Sequence, residues 1–336
     1  MIATHLAACG LDSRFAAVAL NDRGEKLWKC CLDYRAHDIP VDPARHICAV
    51  IGRKPGPRIS VCDFRTGAVL RVLVPLPDCT FDGHGIFSAA GDQLYTTQSE
   101  GKGQRGAIGV YDVATGMLRR RFSTYGIEPH ELLWLENGRN LVVGNGGIVD
   151  RNATDPIDSS LVCIDAANGD LIGKTVLEED LETLSLRHLA RLSDGRIVCG
   201  AQDQDPATDL RPLVFAMDRS GGATAFDLPR DIHRRLAGYI GSIAVDRSGE
   251  IVCATSPRGG LAVFWTKSGD YLGAAELADV CGVAAGSGPG QFLLTSGHGH
   301  RLLVTAASQA GISVATLSTA DGVQWDNHLS SVAALV

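Results

Sequence analysis

Four stretches share one layout: AHDIPVDPARHICAV at 36–50, GHGIFSAAGDQLYTT at 83–97, PHELLWLENGRNLVV at 129–143 and RHLARLSDGRIVCGA at 187–201. Each reads as a polar turn, a histidine, a short apolar strand, a turn and a second strand. Two looser copies follow without the histidine, GSIAVDRSGEIVCAT at 241–255 and CGVAAGSGPGQFLLT at 281–295. His37, His84, His130 and His188 follow one another at intervals of 47, 46 and 58 residues. Repeats of about 40–50 residues with four strands per unit are the mark of β-propeller blades. Between the copies runs a second pair of strands. ISVCDFRTGAVLRVLV (59–74), IGVYDVATGMLRRRF (108–122), LVCIDAANGDLIGKTV (161–176) and LAVFWTKSGDYLGAAEL (261–277) each break at a Gly-containing turn suited to a hairpin.

The two ends of the chain decide closure. NHLSSVAALV (327–336) reads as an inner strand starting near His328 with no partners after it, whereas the first 32 residues supply three strands but no inner one. Joining them completes a seventh blade and removes the open sheet edges that invite aggregation. The expectation is an all-β, seven-bladed β-propeller closed by its C-terminal strand, formed by residues 1–336 as one domain. No linker or shift in composition divides the chain. Arg230–Arg235 is expected to form a short helical turn.

Composition agrees. The 39 glycines against 3 methionines suit many short strands joined by tight turns. A net charge of −7 argues against a nucleic-acid partner or an anionic membrane surface. No apolar run is long enough for a membrane span, and Met1–His5 shows no basic segment followed by an apolar one, so neither a span nor a secretory signal is expected within these residues. The ten cysteines form no CxxC pair; several sit in apolar strand-like runs and read as buried thiols, with a disulfide network or a metal–thiolate site as alternatives. Trp28, Trp134, Trp265 and Trp325 read as core packing. The chain carries no P-loop, no dinucleotide fingerprint, no nucleophile elbow and no WD-repeat signature.

The repeat points to a site. Five of seven inner strands carry a histidine in one register: His37, His84, His130, His188 and His328. The polar, Gly-rich loops between second and third strands (52–58, 99–106, 145–160, 202–212, 256–260 and 297–301) open on the same face. Binding residues concentrate on such loops above a rigid scaffold. Imidazoles converging on an axis can hold a transition metal, serve as acid and base, or only cap the channel. The expected ligand-binding set is His37, His84, His130, Glu131, Arg187, His188 and His328, with His84, His130, His188 and His328 as metal ligands and a transition metal ion as the cofactor. Asp38, Asp82, Glu131 and Asp326 flank the ring and would orient it. His298 and His300 read as a surface loop that could add ligands. Arg35, Arg53, Arg187 and Arg258 lie near the decorated face, either to hold a carboxylate or phosphate or to pair with neighbouring blades.

GRKPG (52–56), FDGHGIFS (81–88), GIEPHEL (126–132), GNGGI (144–148), SLRHLA (185–190), GAQD (200–203), GYIGSIA (238–244), SPRGG (256–260) and WDNH (325–328), in this order, resemble the bacterial family called domain of unknown function 1513. The family is similar in fold to quinoprotein amine dehydrogenase and YVTN-type propellers. The resemblance implies an exported, periplasmic protein, commonly with a twin-arginine signal, that neighbours imelysin-like, iron-regulated proteins and has iron-uptake proteins as partners. It carries over no catalytic residues. Three functions are compatible with the residues: a binding propeller for a metal ion or small ligand, a lactonase-like hydrolase or quinone- or metal-dependent oxidoreductase drawing on His130, Glu131 and Arg187, and a protein-interaction platform built on the long loops of blades three and four.

Overall fold

The structure, a computed structural model, describes residues 3–11, 14–135, 138–150, 157–178, 181–205, 210–218, 221–308, 310–319 and 322–332. Seven four-stranded antiparallel sheets form a seven-bladed β-propeller. Numbered by their inner strands, blade 1 begins with Val41–Asp42, blade 2 with Cys79–Phe87, blade 3 with Pro129–Trp134, blade 4 with Leu184–Arg191, blade 5 with Ser242–Val245 and blade 6 with Val280–Ala285. In blade 7 the inner strand is Val323–Ser331. It pairs antiparallel with His5–Leu11, Leu11 opposite Val323 and His5 opposite Ser331. Arg14–Leu20 and Lys26–Leu32 complete that sheet. The closure expected from the two chain ends is therefore the one observed.

Burial falls off radially, and the sequence pattern says why. Each blade packs face to face against two neighbours, so its second strand is covered on both sides and reads as a continuous apolar run. Ile47–Ile51 and Ile251–Ser256 are buried at every position. Outer strands face water: Ala223–Ala225 is exposed throughout and Val69–Leu73 at all but Leu73. The core accordingly lies between blades, as in the cluster of Phe264, Phe292, Leu294 and Val304 that joins blades 5 and 6. Burying such side chains supplies the main stabilisation of the ring.

The outer hairpins repeat one turn. In DFRTG (63–67), DVATG (112–116) and DAANG (165–169) the glycine has positive φ, and its N–H donates to the carbonyl of Asp63, Asp112 or Asp165 at 2.7–2.8 Å. The same aspartate accepts a backbone N–H two or three residues on through its side chain. Tryptophans join blades: Trp28 Nε1 donates to Phe64 O at 2.6 Å, and Trp134 Nε1 to Phe87 O at 2.8 Å. All ten cysteines are free thiols; Cys31 is exposed and Cys163 half-buried, the rest buried. Arg230–Arg235 is an α-helix, as anticipated. No described helix is long and apolar enough to cross a membrane.

One local irregularity recurs and positions the site. Each inner strand of blades 2, 3, 4, 6 and 7 holds more residues than the stretch it pairs with. The shift falls between Phe81 and Gly85, Pro129 and Leu132, Leu186 and His188, Val280 and Val283, and Trp325 and Leu329. These β-bulges re-aim the side chains they carry, and in four of the five blades those side chains include or adjoin the histidine.

An imidazole layer in the central channel

The five histidines converge. Ring centroids of His84 lie 4.6 Å from His130, 4.7 Å from His328, 5.0 Å from His37 and 6.1 Å from His188. His37 and His328 lie 4.4 Å apart, and His188 lies 5.0 Å from both His130 and His328. Four of the rings sit inside the inner strands rather than at their first residues, those bearing His84 and His328 beginning five residues earlier, at Cys79 and Val323; His37 instead precedes the inner strand of its blade, Val41–Asp42. The outcome is a layer across the channel. Gly83 makes room for it, since a Cβ there would stand 2.5 Å from the His37 ring. Ser242, from a blade without a histidine, stands 3.3 Å from His328 Nδ1.

The layer is unusually poor in partners. His37 Nδ1 and both His84 ring nitrogens are buried with no hydrogen-bond partner. Carboxylates stand behind three rings: Asp326 at 3.8 Å from His37 Nδ1, Asp38 at 3.7 Å from His84 Nδ1 and Glu131 at 3.3 Å from His188 Nδ1. Of the four acidic residues expected to orient the ring, Asp82 does not touch it: it is bound by Ser99 and lies 3.6 Å from Lys54. Burial, reinforced by the neighbouring imidazoles, holds His130 and His328 far below the ordinary histidine range and pushes His37 down to about 4 despite Asp326. His188 is lowered by burial against the pull of Glu131. His84 alone is raised: burial opposes its charge, but Asp38 and Glu131 together prevail. Four of the five rings are thus kept neutral, the form that ligates metals. Five charges at this spacing in a buried layer would repel one another strongly.

The donor set fits a transition metal. Two triads, His37–His84–His130 and His84–His188–His328, bring one ring nitrogen of each residue within 4.8 Å of the others, and His84 belongs to both. His328 Nε2 and His37 Nε2 are 3.1 Å apart. Metal–imidazole bonds of about 2.1 Å place tetrahedral ligands about 3.4 Å from one another, a spacing that small ring rotations would reach. The carboxylates behind His37, His84 and His188 are the kind of second partner that fixes a ligating imidazole. His37, expected only among the ligand-binding residues, joins the metal-competent group. His298 and His300 do not; His298 is exposed on its loop.

The layer separates two cavities. Above it, a 520 Å³ cavity is lined by His37, His130 and His188 together with residues of five second-to-third-strand loops, among them Arg53, Lys54, Gln104, Ile148, Gln202 and Arg258. Below it, a 390 Å³ cavity is lined by Asp38, Asp42, His84, Glu131 and the turn around Ser88. The loops at 52–58, 99–106, 145–160, 202–212 and 256–260 thus share one face, as read from the repeat; the 297–301 loop stays outside the lining. Arg187 and Glu131, neighbours in the expected set, fall on opposite sides. Arg187 is buried in the upper cavity and pairs with Glu128 at 2.9 Å, whereas Glu131 faces the lower one and accepts the Leu189 N–H at 3.0 Å. Of the other arginines, Arg35 and Arg53 both reach Asp326, at 2.5 and 3.3 Å, and Arg258 lies 4.4 Å over the Tyr239 ring.

Sequence reasoning did not single out Lys54 or Glu128. Lys54 bridges Asp82 and Glu128 at 3.6 Å each. Glu128 is buried with φ +53°, a left-handed conformation uncommon for a bulky side chain and frequent at functional sites. Gly146 permits the Arg187–Glu128 pair, because a Cβ there would lie 2.9 Å from the guanidinium and 3.0 Å from the carboxylate. Their signal was positional: Glu128 precedes the Pro129–His130 pair and Lys54 sits in a decorated loop.

Fold and site together define a seven-bladed propeller whose channel is crossed by a layer of buried imidazoles. The chain matches the family described as protein of unknown function (DUF1513) over residues 31–332 and belongs to it. No curated protein matches the sequence. Among solved structures it is similar in fold to Kuenenia stuttgartiensis hydrazine synthase, at 15% identity and a TM-score of 0.64 over 91% of this chain and 90% of that one.

Proposed function

We propose that this propeller is a binding protein that holds a divalent transition-metal ion in the imidazole layer, with His84 as the shared ligand and His37, His130, His188 and His328 around it. The observation that carries the reading is the convergence of two histidine triads, each with one ring nitrogen per residue within 4.8 Å of the others. The Nδ1 atoms of His37 and His84 face Asp326 and Asp38, which leaves His84 Nε2 buried without a partner; such an atom costs about 1–3 kcal/mol, and a bound cation would satisfy it. An all-nitrogen donor set suits zinc, copper, nickel or iron(II). The test is metal content after purification of the untagged chain, followed by equilibrium uptake of zinc and cobalt. Wild-type protein is expected to retain close to one ion per chain and the His84→Ala/His130→Ala double variant to lose affinity at least 100-fold. Unchanged retention in the variant would remove the layer from the account.

The hydrolase or oxidoreductase alternative draws less support because, of its three groups, His130 and Arg187 line the upper cavity and Glu131 the lower one. The interaction-platform alternative rests largely on residues 151–156 and 206–209, which lie outside the described residues. Family membership supports a periplasmic location beside iron-uptake proteins, and cell fractionation tests it.

A further inference from the structure

We propose that the upper cavity binds a small oxyanion ligand, a carboxylate or phosphate compound, directly above the imidazole layer. The chain as a whole carries a net charge of −7. Among the described residues its upper cavity nevertheless gathers Arg53, Lys54, Arg187 and Arg258 against Asp82, Glu128 and the Asp326 that pairs with Arg53. The lower cavity has the opposite character, with Asp38, Asp42 and Glu131 and, among the described residues, no lysine or arginine in its lining. An acidic protein that concentrates cations in one concavity focuses a positive field there, and low-dielectric walls strengthen it.

The cations are arranged as well as gathered. Among the described residues no carboxylate pairs with Arg258; its guanidinium is spread over the Tyr239 ring at 4.4 Å, which leaves its planar fork of donors available to a bidentate anion. Tyr239 is itself fixed by a backbone bridge to Gln202, another lining residue. Lys54 and Arg187 are held from the other wall by Asp82 and Glu128. Gln104, Gln202 and Asn327 add neutral polar groups suited to a ligand's hydroxyl or carbonyl oxygens. The volume of 520 Å³ falls within the range of about 300–1,000 Å³ usual for small-molecule sites.

This inference deepens the metal reading and rests on it for one feature only. His37, His130 and His188 form the floor of the cavity, so an ion held there would face the anion, and each would raise the other's affinity by the same factor. The four cations belong to the protein whether or not an ion is bound.

The experiment titrates the full chain with succinate and, separately, with inorganic phosphate, by calorimetry at low salt, both metal-free and zinc-loaded. Binding of at least one anion is expected, at least tenfold tighter in the loaded form and weakened by added salt. The anion that binds identifies which oxyanion chemistry the cavity takes. Arg258→Gln, on an exposed loop, should weaken binding at least fivefold. Val149→Glu, at the exposed rim, should weaken it further, and Ala89→Glu, on the lower cavity, should leave it unchanged. No heat with either anion, or equal affinity in wild type, Arg258→Gln and Val149→Glu, overturns the proposal. Anion binding that obeys Arg258 in a protein that takes up no metal would sustain the anion site and sink the metal reading; metal uptake without anion binding would do the reverse.

Discussion

Blades 2, 3 and 4 and blades 5 and 6 have the same four-stranded form, yet they serve the channel differently. The first group sends His84, His130 and His188 to the axis. The second sends Ser242 and Gly282 from the corresponding strands, and a Cβ at Gly282 would stand 3.2 Å from Leu329 Cβ. One side of the ring therefore brings imidazoles to the axis, among them His84 with neither ring nitrogen partnered. The other brings no ring there and packs against the last strand, although Thr295 Oγ1 beside Gly282 is also without a partner. Ionisable groups gathered at one place and close packing at another are what a binding site built on a rigid scaffold looks like.

The largest expected effect comes from the packed side. Phe292 is fully buried between blades 5 and 6, with its ring 5.6 Å from Phe264. Phe292→Ala leaves a cavity there and should lower stability by about 3–5 kcal/mol, read by denaturant unfolding. Zinc affinity at a temperature where the variant is folded should stay within twofold of wild type. A large loss of affinity would dissolve the contrast between the two sides.

A smaller effect, of opposite sign, is expected on the histidine side. His84→Leu replaces a buried ring whose nitrogens have no partners by an apolar side chain. In metal-free protein it should be neutral or stabilising by about 1 kcal/mol. The sign depends on pH. The His84 pKa is raised in the fold, so the attraction of Asp38 and Glu131 is fully present below the unfolded value of about 6.5 and is lost as pH rises through the folded value. The comparison therefore belongs at alkaline pH, where that attraction weakens and the unsatisfied nitrogens weigh most. A loss of several kcal/mol there would make His84 a structural residue.

The blade count, the strand pairing and the swapped last strand were legible in the sequence because they follow from a repeat with period and from two incomplete chain ends. The histidines were legible as a set for the same reason. Their depth was not. The extra residues between Phe81 and Gly85 or Trp325 and Leu329 are a property of pairing with the neighbouring strand, and nothing in DGH or DNH alone announces a bulge. The separation of Arg187 from Glu131 was hidden likewise. In a regular strand Arg187 and Glu131, each one residue from its histidine, would both point to the face opposite the histidines, whereas the bulge at Leu186–His188 turns Arg187 upward. Asp82 was misread because adjacency in sequence stood in for contact; its partners are Ser99, near the end of the neighbouring strand Gln93–Glu100, and Lys54, on a loop of blade 1 whose course only the fold fixes.

The contrast between the blades can be sharpened at their one point of contact with the site. Ser242 Oγ lies 3.3 Å from His328 Nδ1, and His328 Nε2 lies 3.1 Å from His37 Nε2. A hydroxyl on Nδ1 fixes which face of the ring is offered to the layer, as a second partner does for a ligating imidazole. If that is all blade 5 contributes, Ser242→Ala should weaken zinc binding about three- to tenfold through a faster off-rate and leave the unfolding midpoint nearly unchanged. Ser242→Thr, which keeps the hydroxyl, should restore most of the affinity. Equal affinities for all three proteins would mean that the ring is oriented by His37 and packing alone, and that blades 5 and 6 act only as walls.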